Sequence, residues 1–149
     1  MNDDARWMGE ALAEAERAFA EGEVPVGAVV VLENRAIGRG RNRTVTSGQP
    51  FEHAEVVALW DAVAGVGAHA LEQAVLYSTI EPCVMCIGAV LLAKIPRVVF
   101  GAREPRTGAC ESILAIPNEP RLLHRVVVVG GVEEKRCRSL MQRFFEARR

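Results

Sequence analysis

The stretch Ala74-Val75-Leu76-Tyr77-Ser78-Thr79-Ile80-Glu81-Pro82-Cys83-Val84-Met85-Cys86 decides the architecture. Ala74 to Ile80 is short, apolar and ends at a proline, the pattern of a buried strand. Glu81-Pro82 reads as a helix start with proline in the first turn, where the missing N–H costs nothing, and Cys83 to Lys94 as an apolar helix closed by Pro96. Arg97 to Gly101 is then a further strand. Upstream, Trp7, Met8, Ala11, Leu12, Ala15, Ala18 and Phe19 share one face at helical spacing, with Asp3 or Asp4 as N-cap. Val26 to Leu32 and Arg35 to Gly40, joined at Glu33-Asn34, predict an antiparallel hairpin. A polar loop leads to Glu52-His53-Ala54-Glu55-Val56-Val57-Ala58-Leu59, which begins a second helix that stops near Gly65-Val66-Gly67.

Downstream, the stretch to Pro120 reads as loop with a short helix, and Arg125 to Val129 as a last strand. Cys137, Leu140, Met141, Phe144 and Phe145 form an apolar helical stripe, so the two phenylalanines read as packing residues and not as a base-stacking platform. The order αββαβαβ(α)βα implies a mixed five-stranded sheet covered by helices, a three-layer α-β-α sandwich of the α/β class.

The 149 residues fit one domain, 1–149, which buries roughly 70% of its unfolded surface, so neither disulfide nor metal is needed merely to fold. Half the residues are hydrophobic and a quarter charged, which excludes a disordered chain. The apolar runs Val24 to Leu32 and Ile87 to Ala93 are too short to cross a bilayer core of about 30 Å, so no membrane association is expected. Met1-Asn2-Asp3-Asp4 is acidic where an export signal is positive, and a cytoplasmic location follows. The sequon Asn42-Arg43-Thr44 then carries no weight. Four cysteines in such a compartment are thiols or metal ligands before they are bridges, and Cys110 and Cys137 read as small buried or loop residues. Net charge is −1, but residues 135–149 carry six basic residues against Glu146, leaving +5 there and −6 elsewhere. Such a tail suits a phosphate backbone, and equally a solvated helix face.

Cys83 and Cys86 stand at i and i+3, on one face of a helix first turn, where the dipole and free N–H groups favour thiolate. His53-Ala54-Glu55 sits at another helix start. Side by side, the two helix starts bring an imidazole and two sulfurs together. Three such ligands suit tetrahedral zinc and leave a fourth position for water, the mark of a catalytic site, and Glu55 lies within reach as general base and then general acid. A redox Cys-x-x-Cys leaves His53 and Glu55 idle. A closed structural zinc site needs a fourth ligand, for which Cys110 or Cys137 is the candidate. No dinucleotide or phosphate loop is present, because Arg43 follows Gly38-x-Gly40 where glycine is needed; His69 and His124 read as ordinary residues.

His53-x-Glu55 with Pro82-Cys83-x-x-Cys86 is the pattern of zinc nucleobase deaminases. With Glu23-Val24-Pro25-Val26-Gly27-Ala28-Val29, Asn42-Arg43, Arg97 to Arg103, Thr107-Gly108-Ala109 and the Phe-Phe final helix, the chain resembles the bacterial tRNA-specific adenosine deaminases, of cytidine-deaminase-like fold, over nearly its whole length. The resemblance implies hydrolysis of wobble adenosine to inosine in a tRNA anticodon loop. It also implies one catalytic Zn2+ per subunit on His53, Cys83 and Cys86, proton transfer by Glu55, base contacts from Asn42, a pocket wall at Val24, ring orientation by the backbone near Ala54, and a homodimer. The alternative is a deaminase of a free base or nucleoside such as guanine, cytosine or adenine.

Three departures bear on substrate. Gln49-Pro50-Phe51-Glu52 replaces Asp-Pro-Thr-Ala, Glu104-Pro105-Arg106 replaces Asp-x-Lys, and Glu111 holds a glycine position. Glu104 and Glu111 add acidity beside a polyanion, whereas Arg39, Arg41, Arg43, Arg103 and Arg106 are expected around the pocket and favour RNA.

Overall fold

The computed structural model describes residues 3–148. Its elements run α1 (Asp3–Ala20), β1 (Gly27–Leu32), β2 (Arg35–Arg41), α2 (Thr44–Ser47), α3 (Ala54–Val66), a 3₁₀ turn (Ala68–Gln73), β3 (Val75–Ile80), α4 (Val84–Ala93), β4 (Arg97–Ala102), a 3₁₀ turn (Ile116–Asn118), β5 (Val127–Val129) and α5 (Glu134–Glu146). The five strands form one sheet in the order β2-β1-β3-β4-β5. β1 is antiparallel to both β2 and β3, while β3, β4 and β5 run parallel, so the sheet is mixed as expected.

Period-two alternation divides the strands between two cores. Ala28, Val30, Leu76, Val98 and Phe100 face Ala54, Ala58, Ile87 and Val90 of α3 and α4. Val29, Val31, Tyr77 and Val99 face Trp7, Met8, Ala11, Leu140 and Cys137 of α1 and α5. This is the three-layer sandwich. The β1–β2 turn is tight because Glu33 (φ 50°) and Asn34 (φ 61°) both adopt the left-handed conformation that a two-residue hairpin requires. A register shift between Val30 and Val31 then turns Gly38 and Gly40 toward α3. A side chain on Gly40 would collide with the Ala54 carbonyl and the Ala58 amide, so glycine lets the first turn of α3 lie directly on the sheet.

Several boundaries differ from the sequence reading. Asp3 and Asp4 lie inside α1 and are not its cap. Asp4 instead binds the Arg97 guanidinium (2.9 and 2.7 Å) and accepts the Tyr77 hydroxyl (2.8 Å). The Arg97 hydrogen bonds hold its carboxyl below the usual range, against the effect of burial. α3 begins at Ala54, two residues after Glu52, and α4 at Val84. Pro82 precedes the helix because Cys83 is extended (φ −77°, ψ 179°) and the Pro82 carbonyl accepts the Ala109 N–H (2.9 Å). The polar loop contains α2, and residues 68–73 form a 3₁₀ turn that apolar periodicity did not signal. Cys110 and Cys137 are buried in opposite cores.

Candidate metal and catalytic site

His53 is the N-cap of α3 and Cys83 the N-cap of α4, so two helix N-termini meet at one edge of the sheet. Their partial positive charge favours sulfur in its anionic form. His53 Nδ1 lies 3.6 Å from Cys83 Sγ and 3.5 Å from Cys86 Sγ, and the three donor atoms lie within 4.8 Å of one another. A tetrahedral zinc with ordinary Zn–S and Zn–N bonds requires sulfur-to-nitrogen edges of about 3.5–3.6 Å, which this triangle meets. Among the described residues no fourth ligand joins the group, and Cys110 and Cys137 stay outside it. Burial pushes both of those thiols up to about 12, so neither is a thiolate. Their position outside the ligand group sets the closed structural site aside.

The pair of ligand thiols shares one negative charge. The Cys86 thiol donates to Cys83, and with His53 alongside this brings Cys83 down to about 4 despite burial. Cys86, as donor and as a buried group, is held above its usual value. The hydrogen bond to Cys83 raises the His53 imidazole. Glu55, in the first turn of α3, is 3% exposed, and burial, with the neighbouring Cys83 charge, lifts it to about 7.

A cavity of about 200 Å³ opens onto the triad, lined by Val24, Asn42, His53, Glu55 and Cys83 on one side and by Glu104, Arg106, Thr107, Met141 and Phe145 on the other. Of the candidate ligand, catalytic and substrate-binding residues, all line this cavity except Cys86, which is fully buried, and Ala54. The Ala54 N–H donates to Asn42 Oδ1 (3.1 Å), which fixes the Asn42 amide and turns its NH2 into the available donor. Phe145 corrects the sequence reading: it is 40% exposed and lines the cavity mouth, while Phe144 is the packing residue of the pair.

Two buried carboxylates went unread in the sequence. Glu23 accepts the N–H groups of Val45 (3.1 Å) and Thr46 (2.5 Å) and the Thr46 hydroxyl (2.6 Å), tying α2 to the strand entry that carries Val24. Glu81 accepts the N–H groups of Glu104 (3.1 Å), Cys110 (3.1 Å), Glu111 (2.8 Å) and Ser112 (2.9 Å) and the Ser112 hydroxyl (2.5 Å). Burial alone would raise Glu81, but these donors hold it below the usual range. A side chain on Gly108 would strike the Glu81 carboxylate, so the loop can close over it only there as glycine. The one available signal was an acidic residue immediately before an apolar helix with no partner in its own segment.

A groove of about 900 Å³ adjoins the cavity and shares Ile80, Glu104, Arg106, Met141 and Phe145 with it. Arg103, Arg106, Arg138 and Arg148 line it. Arg39 and Arg41, expected here, point elsewhere: Arg39 pairs with Glu10 (3.5 Å) and Arg41 with Glu21 (2.8 Å), both on or just after α1.

A mixed sheet carrying an open His/Cys/Cys triangle beside a buried glutamate defines a class: the chain belongs to the cytidine and deoxycytidylate deaminase family, whose zinc-binding region matches residues 1–102. It is accordingly a zinc-dependent deaminase. Within that class it is similar to the tRNA-specific adenosine deaminase of Bacillus subtilis, at 40% identity over 97% of this chain and 90% of that one. The Haemophilus influenzae tRNA-specific adenosine deaminase is 39% identical over 98% of this chain and 85% of its own. A solved structure from work on A-to-I editing by tRNA:A34 deaminases superposes with a TM-score of 0.86 at 38% identity, covering 91% of this chain and 98% of that one. Guanine deaminase from Nitrosomonas europaea superposes at 0.76 with 25% identity, covering 94% and 83%.

Proposed function

We propose that this enzyme hydrolyses adenosine to inosine at the wobble position of a tRNA anticodon loop, releasing ammonia, as a single deaminase domain over residues 1–149. The observation that carries the reading is a triad-bearing cavity opening directly into an arginine-lined groove, which a base swung out of an RNA loop can enter while its neighbours stay on phosphate contacts. His53, Cys83 and Cys86 hold one zinc per subunit. When bound, zinc supplies a Lewis acid that brings water toward deprotonation near neutral pH. Glu55 takes a proton from the attacking water and delivers it to the ring nitrogen beside C6. It then carries the second water proton to the departing amino group, so that one water is consumed and one ammonia leaves. Asn42, with its oxygen already committed to Ala54, donates its NH2 to the ring; Ala54 contributes by orienting Asn42; Val24 forms the apolar wall.

No helix among the described residues is long and apolar enough to cross a membrane, and a cytoplasmic location suits a tRNA substrate. A homodimer is supported by the apolar strip on α3, α4 and the loop before β5, where Trp60, Leu92 and Leu123 are 56%, 86% and 102% exposed. The second reading, a free-base deaminase, is favoured by one feature, the acidic Glu104 on the cavity wall, and by the guanine deaminase likeness. A single screen separates them. Anticodon stem-loop RNA, adenosine, guanine and cytidine are each incubated with zinc-loaded enzyme, and ammonia and inosine are measured. Conversion of the wobble adenosine that declines with rising salt is the expected result; rapid turnover of guanine with inert RNA would install the second reading.

A further inference from the structure

The cations of the groove are already engaged. Arg103 Nε donates to Glu111 (2.9 Å) and its Nη1 to Glu134 (3.0 Å). Glu134 also takes Arg138 at 3.0 Å, and Arg106 Nε lies 3.5 Å from Glu104. Of the four groove arginines only Arg148 has no carboxylate partner among the described residues; it donates to the Gly22 carbonyl (2.7 Å) and lies over the Phe144 ring at 4.1 Å. The carboxylates come from two separate places, the loop after β4 and the first turn of α5, and both converge on Arg103.

Pairs this open to solvent are weak and exchangeable: Arg103 and Glu111 are 46% and 40% exposed. A strand phosphate that meets a free arginine expels counterions condensed on the strand, and binding gains from their release. A phosphate that displaces Glu111 merely swaps one anion for another, and most of that gain is lost. One phosphate on its own therefore has little reason to enter, whereas a chain of phosphates can displace several carboxylates in one binding event and add the contact at Arg148.

We infer that Glu111 and Glu134 are specificity-determining residues: by occupying Arg103 and Arg138 in advance, they make the groove select a polyanionic strand over a single phosphate. The inference rests on the RNA reading above.

The test is fluorescence anisotropy of a labelled anticodon stem-loop on the zinc-loaded enzyme across a salt series, with inorganic phosphate as competitor. Glu111→Gln tightens RNA binding about two- to fivefold at low salt and steepens the log Kd against log salt slope by about 0.7. Phosphate displaces RNA more readily from this variant than from the wild type. In an Arg103→Gln background the same substitution changes nothing, because the residue acts through that arginine. Glu134→Gln on the separate helix repeats the tightening. The melting temperature of Glu111→Gln stays at the wild-type value, since the Glu111 N–H keeps its bond to Glu81. Unchanged affinity and slope, or an equal effect with and without Arg103, overturns the inference while leaving the deaminase reading intact. A wild-type enzyme that neither binds nor edits the RNA removes both.

Discussion

Glu55 illustrates how position, more than identity, gives a residue its chemistry. A carboxyl on a surface titrates near 4; two residues from His53 and shut off from solvent, this one is lifted to about 7, so both its forms exist near neutral pH. Glu55→Gln keeps the shape and removes the proton traffic. Turnover should fall by about 10²–10⁴-fold while metal analysis still finds zinc at the wild-type ratio. Wild-type turnover, or loss of the metal, would show that the roles of Glu55 and of the triad have been misassigned. Asn42 shows the same lesson on a smaller scale, because one hydrogen bond from Ala54 dictates which end of its amide faces the cavity.

Among the elements, the loop after β4 depends on β3 for its shape. Glu81 gathers five donors from it, four of them backbone N–H groups that no strand or helix satisfies. Glu81→Gln sets an amide donor against those N–H groups and leaves at least one unpaired, a loss of about 1–3 kcal/mol. The expected result is a lower urea midpoint and faster amide exchange confined to residues 104–112, with the zinc content unchanged. Exchange that stays slow in that segment would mean the loop holds itself. None of this is visible in the sequence, because Glu81 and its partners are separated by 23 to 31 residues. What was legible is what local pattern encodes: five strands by period and punctuation, α1 and α5 by apolar spacing, α3 and α4 by their start and stop residues, and the candidate metal ligands by the i, i+3 thiols beside a proline together with His53-x-Glu55. Helix starts were misplaced by one or two residues because Cys83 and His53 have extended backbones although their neighbours suit a helix. Phe145 was misread because the apolar stripe of α5 is wider than the surface it covers.

The molecule as a whole leaves one face unfinished. Leu92 on α4 and Leu123 in the loop before β5 stand almost fully in water, with Trp60 on α3 nearby, at 86%, 102% and 56% exposed. A second copy is the simplest cover for such a strip. Leu92→Asp should convert a dimer into monomers in sedimentation velocity at micromolar concentration, without lowering zinc content. A wild-type protein that already sediments as a monomer across that range would remove the dimer.

The metal ligands and Glu55 all fall between residues 53 and 86, while the wall that faces them comes from residues 104–107 and from α5. Residues of the last third thus form one wall of a chamber whose other wall, Val24 and Asn42, and whose reactive groups lie earlier in the chain. Mutation in that last third can reshape one side of the entrance while leaving the reactive groups in place.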